Sequence, residues 1–466
     1  MNLQIAAIVN QFLEHVPDRI PGPGEVEQRL AGLAERYPNQ VSRRPAGVSR
    51  SGTPITVTSI GSGNHDALVV AGSHPNELVG LATVLCLAEA LCAHGGRREE
   101  LGYRWHLIGC IDPDGARLNE GCYSGPITRR GYHQGFYRPS FENDVEWSCP
   151  VPGQGETSPL PETRALMRVI HNVRPRLLCS LHDAEFGGMY VLVSDDRPGM
   201  ADVLAAVPAR SDLPVHIGDI DDDVPDARPL GTGVFLIPPE VTAPDGDRRI
   251  ISSLNYAARL CGTFGLVTEV PMWPDSRSQD TTPCGQRLAD VLRDTAGLLD
   301  DVSPLIGKLT DPAVSAWPDQ DESRFGSSLD QLRNVCEKVT HALRARAGRV
   351  GDVQATVADR LTTRQLAHTL RGRTCGTALR VLDARAARGG AADLHAARTE
   401  LHGLFQAWAA VAEADSPDTP APLTRLVHAQ LGAILGAANQ LNVIGSATSS
   451  GKEANSGCVR TRRCGY

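Results

Sequence analysis

The stretch Ala67-Leu-Val-Val-Ala-Gly-Ser-His74-Pro-Asn-Glu77 decides how the chain is read. An unbroken apolar run marks a buried strand, Gly72 and Ser73 end it with small residues, and a histidine and a glutamate follow three positions apart. Imidazole nitrogen and carboxylate oxygen are good zinc ligands, and a strand running out into a loop can aim both at one ion. The spacing by itself decides little. A chain with 14 histidines produces about one His-x-x-Glu match by chance, and this one holds two, the other being His182-Asp-Ala-Glu185.

The second histidine lends weight to the first match. Arg176-Leu-Leu-Cys-Ser-Leu181 reads as another buried strand, and His182 follows it directly, as a third ligand from a neighbouring strand end should. Two histidines and one glutamate leave a coordination position open to water, the layout of a catalytic rather than a structural zinc site. The expectation is one zinc ion held by His74, Glu77 and His182. Asp183 is read as a group that orients a ligand histidine or caps the loop, and Glu185 as a pocket or surface acid outside the ligand set. His106 and His341 read as packed or exposed side chains.

Farther along, Gly265-Leu-Val-Thr-Glu269-Val-Pro271 is again an apolar strand, now with one carboxylate embedded in it and a proline at its end. An acid in such a run is costly to bury without compensation. Its natural partner is a water at the metal. As general base, Glu269 would take that water's proton and pass it to a leaving amine, with burial raising its pKa toward the working range. The plain alternative is an ion pair with an arginine.

Between residues 25 and 310, β-branched runs alternate with helix-period stretches, the pattern of a sheet covered by helices on both faces. Strands are predicted at 55–60, 67–71, 104–111, 176–181, 189–194 and 265–270, and helices at 78–93, 161–173 and 251–260. From about Pro312 the strands disappear, and Leu329, Leu332, Cys336, Val339 and Leu343 form a helical stripe. Further helices are predicted at 353–370, 391–411 and 423–441. This gives a catalytic domain over 1–310, a helical appendage over 311–444 and a flexible polar tail over 445–466 that includes Cys458 and Cys464. The appendage reads as a bundle or as a docking surface for a protein partner.

Composition bounds the rest. A chain of 466 residues exceeds one typical core, and 41% hydrophobic with 21% charged residues excludes a disordered or fibrous protein. Acidic residues outnumber basic ones, 54 to 46, so no broad electropositive face for nucleic acid is expected. The 12 cysteines include no C-x-x-C pair and read mostly as buried thiols. No apolar run reaches the roughly 18 residues of a membrane span. The first residues, with Ile5, Ile8, Phe12 and Val16, suggest an amphipathic helix rather than an export signal, so a cytoplasmic address is expected.

With these residues in view, the chain resembles the zinc carboxypeptidase family of metallopeptidases over about residues 25–305. Arg36-Tyr-Pro and Gly47-Val-Ser-Arg-Ser-Gly-Thr-Pro-Ile55 look like its tyrosine–proline turn and the strand after it. His74 and Glu77 match its first two metal ligands, Asp112-Pro-Asp-Gly115 looks like its Asn-Pro-Asp-Gly turn, His182 matches its third ligand, and Glu269 matches its catalytic glutamate. The resemblance implies an α/β/α sandwich on a mixed eight-stranded sheet with the site at strand ends. It also implies a zinc-dependent hydrolase of a peptide or amide bond, most simply a metallocarboxypeptidase.

The family holds the substrate's terminal carboxylate with an Asn-Arg pair downstream of that turn, and no Asn-Arg dipeptide occurs between Gly115 and His182. Arginines in this interval include Arg117, Arg129, Arg130 and Arg138. Arg117 is expected to stabilise the oxyanion, and Arg138 and Arg130 to bind substrate. Tyr256, 13 residues before Glu269, is the candidate for the family's mobile tyrosine. The missing pair keeps open an N-acyl amino acid deacylase or amidase of the same fold, as in the aspartoacylase and succinylglutamate desuccinylase branch. A catalytically inactive binding protein is the alternative from another class.

Overall fold

The β-branched and apolar runs form the strands of one mixed sheet in the computed structural model, which describes residues 3–151, 159–217, 226–242, 249–314, 320–387, 392–416 and 419–456. In chain order these are β1 (Val41–Val48), β2 (Pro54–Ile60), β3 (His65–Ala71), β4 (Tyr103–Ile108), β5 (Leu177–Gly187), β6 (Tyr190–Val193), β7 (Arg228–Gly231), β8 (Val234–Leu236) and β9 (Phe264–Pro274). Their spatial order is β1-β2-β4-β3-β5-β9-β6-β8-β7. Among the described residues the expected eight strands of this sheet become nine. The extra edge strand, Arg-Pro-Leu-Gly, is too polar and too short to show as a strand in sequence. Strands β4, β3, β5 and β9 run parallel, so their carboxyl ends gather along one edge, where α/β sheets place ligands.

Among the described residues ten α-helices accompany the sheet as far as β9: α1 (Leu3–Phe12), α2 (Pro23–Arg36), α3 (Val79–Ala93), α4 (Gly95–Leu101), α5 (Pro113–Asn119), α6 (Arg129–Gly135), α7 (Pro161–Val173), α8 (Met200–Ala205), α9 (Val207–Arg210) and α10 (Ser253–Cys261). Local chemistry sets their ends. Proline opens α7, while the Ser252 side chain caps α10 and Gly262, left-handed, closes it. Alternate strand residues serve opposite faces. Ala67, Val69, Leu177, Cys179 and Leu266 share a core with α1 and α3, whereas Leu68, Val70, Leu178 and Val267 meet α7 and α10.

Among the described residues six α-helices follow: α11 (Leu288–Leu299), α12 (Val302–Val314), α13 (Gln320–Ala347), α14 (Val357–Ala386), α15 (Ala392–Asp415) and α16 (Leu423–Ser456). Their packing differs from a division at residue 310. Helices α11 and α12 join α13–α15 in a second core around Leu292, Val302, Leu329, Cys336, Leu379 and Phe405. Helix α16 returns to the first core, laying Leu426, Val427, Leu431, Ile434, Leu435 and Leu441 beside α1 and α3. The physical cause is α3, in which 13 of 15 residues are buried. A helix buried on almost every side, with only Thr83 and Glu89 polar along it, needs helical neighbours as well as the sheet.

The polar tail expected from residue 445 begins as a continuation of α16, because extending a formed helix is far easier than starting one. Cys458 and Cys464 lie outside the described residues, and the ten described cysteines are free thiols. Among the described residues no single helix is long and apolar enough to cross a membrane.

Burying the six aliphatic side chains of α16 contributes on the order of 10 kcal/mol, comparable to the whole stability of a typical domain. A chain ending at residue 416 is therefore expected to lose cooperative thermal unfolding and to bind dyes for exposed apolar surface. A melting temperature equal to that of the full chain, measured by circular dichroism, would contradict this packing account.

Candidate metal centre

Past β3, Gly72 adopts a left-handed conformation and Ser73 leads into the His74–Glu77 loop. The loop ends where α3 begins, and there Asp183 accepts a hydrogen bond from Val79 N at 2.9 Å. Asp183 thus fastens the helix start. His182 lies inside β5 rather than after it, since β5 and β9 stay paired through Ala184↔Pro271 to Gly187↔Pro274. Pro271 does not end β9. Strand β6 pairs with β9 only as far as Glu269, and a residue without an N–H is tolerated on the edge left open beyond.

His74, Glu77 and His182 are all buried and converge, with one donor atom from each lying within 4.8 Å of the others. His182 Nδ1 is 3.0 Å from His74 Nδ1 and 2.7 Å from Glu77 Oε2, and His74 Nδ1 is 3.0 Å from Glu77 Oε1. The two rings meet edge to face. Donors around a tetrahedral zinc ion sit about 3.3 Å apart, so two Nδ1 atoms and a carboxylate facing one another suit that ion. Burial opposes the charge on Glu77, but the two imidazoles outweigh it and hold the carboxyl well below its usual range. His182 is also penalised by burial, yet Glu146, Glu77 and Glu269 together raise it well above an ordinary histidine.

The far nitrogens of both rings are engaged. His182 Nε2 lies 2.8 Å from Ser180 Oγ and 3.7 Å from Glu146 Oε2, while Ser180 and Ser253 hydroxyls donate to the Glu146 carboxylate. His74 Nε2 lies 3.5 Å from Asp144 Oδ2. Such partners fix ring orientation at metal sites. Sequence reasoning missed Asp144 and Glu146; their only signal is a pair of acids flanking the apolar Val145, which is fully buried.

Glu269 is the in-register partner of His182 on the adjacent parallel strand, so both side chains leave the same face of the sheet. Its charge acts on His182. Arg138 also reaches the cluster, with Nη2 2.7 Å from His74 Nε2 and Nη1 donating to Glu77 Oε1 at 3.3 Å.

The other expected residues have these contacts. Arg130 grips Glu413 and Gln406 of α15. Arg117 donates to Thr53 and lies 3.5 Å from Asp114, half exposed. Tyr256 packs against the core under α10, as an ordinary amphipathic helix residue does. Glu185 is no surface acid: it is buried among His133, Thr369 and Arg373. His106 is buried between Ser59 and Asp66, and His341 bonds its own helix.

A mixed α/β sheet with a His–Glu–His donor set at its carboxyl edge defines the class, an α/β domain built around a candidate metal centre. Residues 26–196 match the model of the family described as Zinc carboxypeptidase, a stretch that contains all three candidate ligands and ends before Glu269. Over that stretch the chain is similar to the zinc carboxypeptidase family. Solved structures similar to it include carboxypeptidase A from Helicoverpa armigera, at 13% identity, covering 72% of this chain and 75% of that one with a TM-score of 0.38. The murein-tripeptide amidase MpaA from Escherichia coli O157 matches at 17% identity, 51% and 86% coverage and a TM-score of 0.27. Thrombin activatable fibrinolysis inhibitor matches at 14% identity and a TM-score of 0.32; 42% of this chain is covered, and it spans 57% of that protein's length.

Asp112 stands where the family's turn has asparagine. Its Oδ1 accepts from Gly115 N at 3.0 Å, but its Oδ2 is buried without a hydrogen-bond partner, 3.7 Å from Arg50 Nη2. Burial, with Glu162 and Asp114 adding to it, pushes its pKa up to about 6 against the pull of Gly115 N and Arg50. The folded value lies above the unfolded one, so the penalty is absent below pH 4, grows through pH 6 and is full above it. Asp112→Asn should raise stability at pH 8 by up to about 3 kcal/mol, with the gain fading toward pH 4. Urea unfolding at both pH values checks this, and an equal effect at each would contradict it.

Proposed function

We propose that this protein is a zinc-dependent hydrolase of peptide or amide bonds, most simply a metallocarboxypeptidase that removes C-terminal residues. The observation that supports it best is the convergence of His74, Glu77 and His182 with Glu269 on the same sheet face, one strand away. Two imidazoles and one carboxylate would hold the ion. Bound there, zinc would polarise the scissile carbonyl and lower the pKa of a water toward neutrality.

The chain's own residues supply the rest. Glu269 accepts the proton of the attacking water and returns it to the leaving nitrogen, the work of a general base and then acid. Arg138 offers a planar pair of donors beside the cluster, suited to a carbonyl oxygen that gains charge or to a carboxylate. Asp144 and the Ser180–Glu146 pair keep the imidazoles aimed. A second reading, an N-acyl amino acid deacylase or amidase, is favoured by the missing Asn-Arg dipeptide, the family's means of holding a free terminal carboxylate. Parallel assays on peptides with free and amidated C-termini and on N-acyl amino acids separate the two.

Chelation should abolish hydrolysis, and stoichiometric zinc should restore it. Glu269→Gln should retain zinc and change KM little while kcat falls by roughly 10²–10⁴-fold. A variant as fast as the wild type would remove Glu269 from the chemistry.

A further inference from the structure

Three successive carbonyls of the loop carrying His74 and Glu77 accept hydrogen bonds, the last two from outside the loop. His74 O accepts from Glu77 N, and Pro75 O accepts from Asn119 Nδ2 at 3.0 Å. Asn76, fully buried between the two candidate ligands, is gripped twice by one phenol. Its Nδ2 donates to Tyr132 Oη at 2.9 Å, and its carbonyl accepts from Tyr132 Oη at 3.4 Å and from Tyr123 Oη at 2.6 Å. The Tyr132 ring is fixed separately, among Trp273, Tyr123 and Phe136.

Tyr132 lies on α6, and α6 is seated by α14, which lies outside the stretch matching the family. Gly372 and Gly376 approach α6 so closely that a Cβ on either would run into the His133 ring or carbonyl. Around this contact Arg129 donates to Gln365 at 2.6 Å, Arg380 donates to Gly135 O, and Glu185 gathers His133, Thr369 and Arg373. The two other site segments have similar ties to the C-terminal helices. Ser328 of α13 donates to Arg138 O at 2.6 Å, and Gln430 of α16 donates to His182 O at 3.0 Å.

We propose that Tyr132 is a positioning residue for the metal-ligand loop, and that α14, through its glycine contact with α6, is the element that sets where Tyr132 stands. This rests on reading His74, Glu77 and His182 as the metal site. Removing the Tyr132 hydroxyl frees the Asn76 side-chain amide and leaves the Asn76 carbonyl to Tyr123 alone, while the aromatic neighbours keep the ring in place, so the ligand loop loses one of its two phenol anchors without a cavity being made.

The test uses the full chain with zinc or cobalt(II) as the probe. Tyr132→Phe should weaken zinc binding by about 10-fold or more in competition with a chromophoric chelator, and should shift the visible absorption bands of the cobalt-loaded protein. Gly372→Ala, which leaves every polar group of the loop in place, should move both readouts the same way. A purely structural role would lower the melting temperature of the metal-free protein and leave zinc affinity and cobalt bands unchanged. Wild-type zinc affinity and an unaltered cobalt spectrum in Tyr132→Phe would overturn the proposal. A wild-type chain that takes up neither metal would instead overturn the reading of the site.

Discussion

Glu77 keeps a negative charge almost out of reach of water, and that is tolerable only because imidazole and guanidinium groups surround it. Those groups come from far apart in the chain: His74 from the end of β3, His182 from within β5, and Arg138 from the loop after α6. The parallel run of β4, β3, β5 and β9 does the bringing together. It stacks strand ends along one edge and sets His182 beside Glu269 by register alone. A slip of one residue between β5 and β9 would send Glu269 to the opposite face, into the core that α3 and α16 fill.

The legible part of the sequence was the part with periodicity or punctuation. The central strands and α7 are bounded by Gly, Pro and small residues, so β3, β5 and β9 could be read, and with them His74, Glu77, His182 and Glu269. Asp144 and Glu146 lie in a loop without a repeat, where nothing local shows which acids turn inward. Arginines are equally opaque. Arg130 and Arg138 sit eight residues apart in similar surroundings, yet one is bound to Glu413, 283 positions away, and the other reaches the cluster. Only the fold tells them apart.

The helical region was legible as helices but not as an assembly. A stripe of apolar residues says that a helix has a partner and not which one. The almost wholly apolar α3 was the available hint that it needed a further helix beside it, and α16 supplies one. The close approach of Gly372 and Gly376 to His133 could not be read from their spacing, since glycine in a helix is as readily a weakness as a contact. The sheet and the helices after it therefore form one mechanical unit, with polar ties crossing between them beside the site.

The place of α16 in the chain has a consequence for how the molecule is made. Strand β9 completes the inner sheet by residue 274, but the helix that covers α3 starts only at residue 423. At ordinary translation speeds the ribosome needs roughly ten seconds or more to bridge that interval. During it the nascent chain carries a finished but half-wrapped sheet, and shelter by a chaperone at the exit tunnel is what such an intermediate calls for.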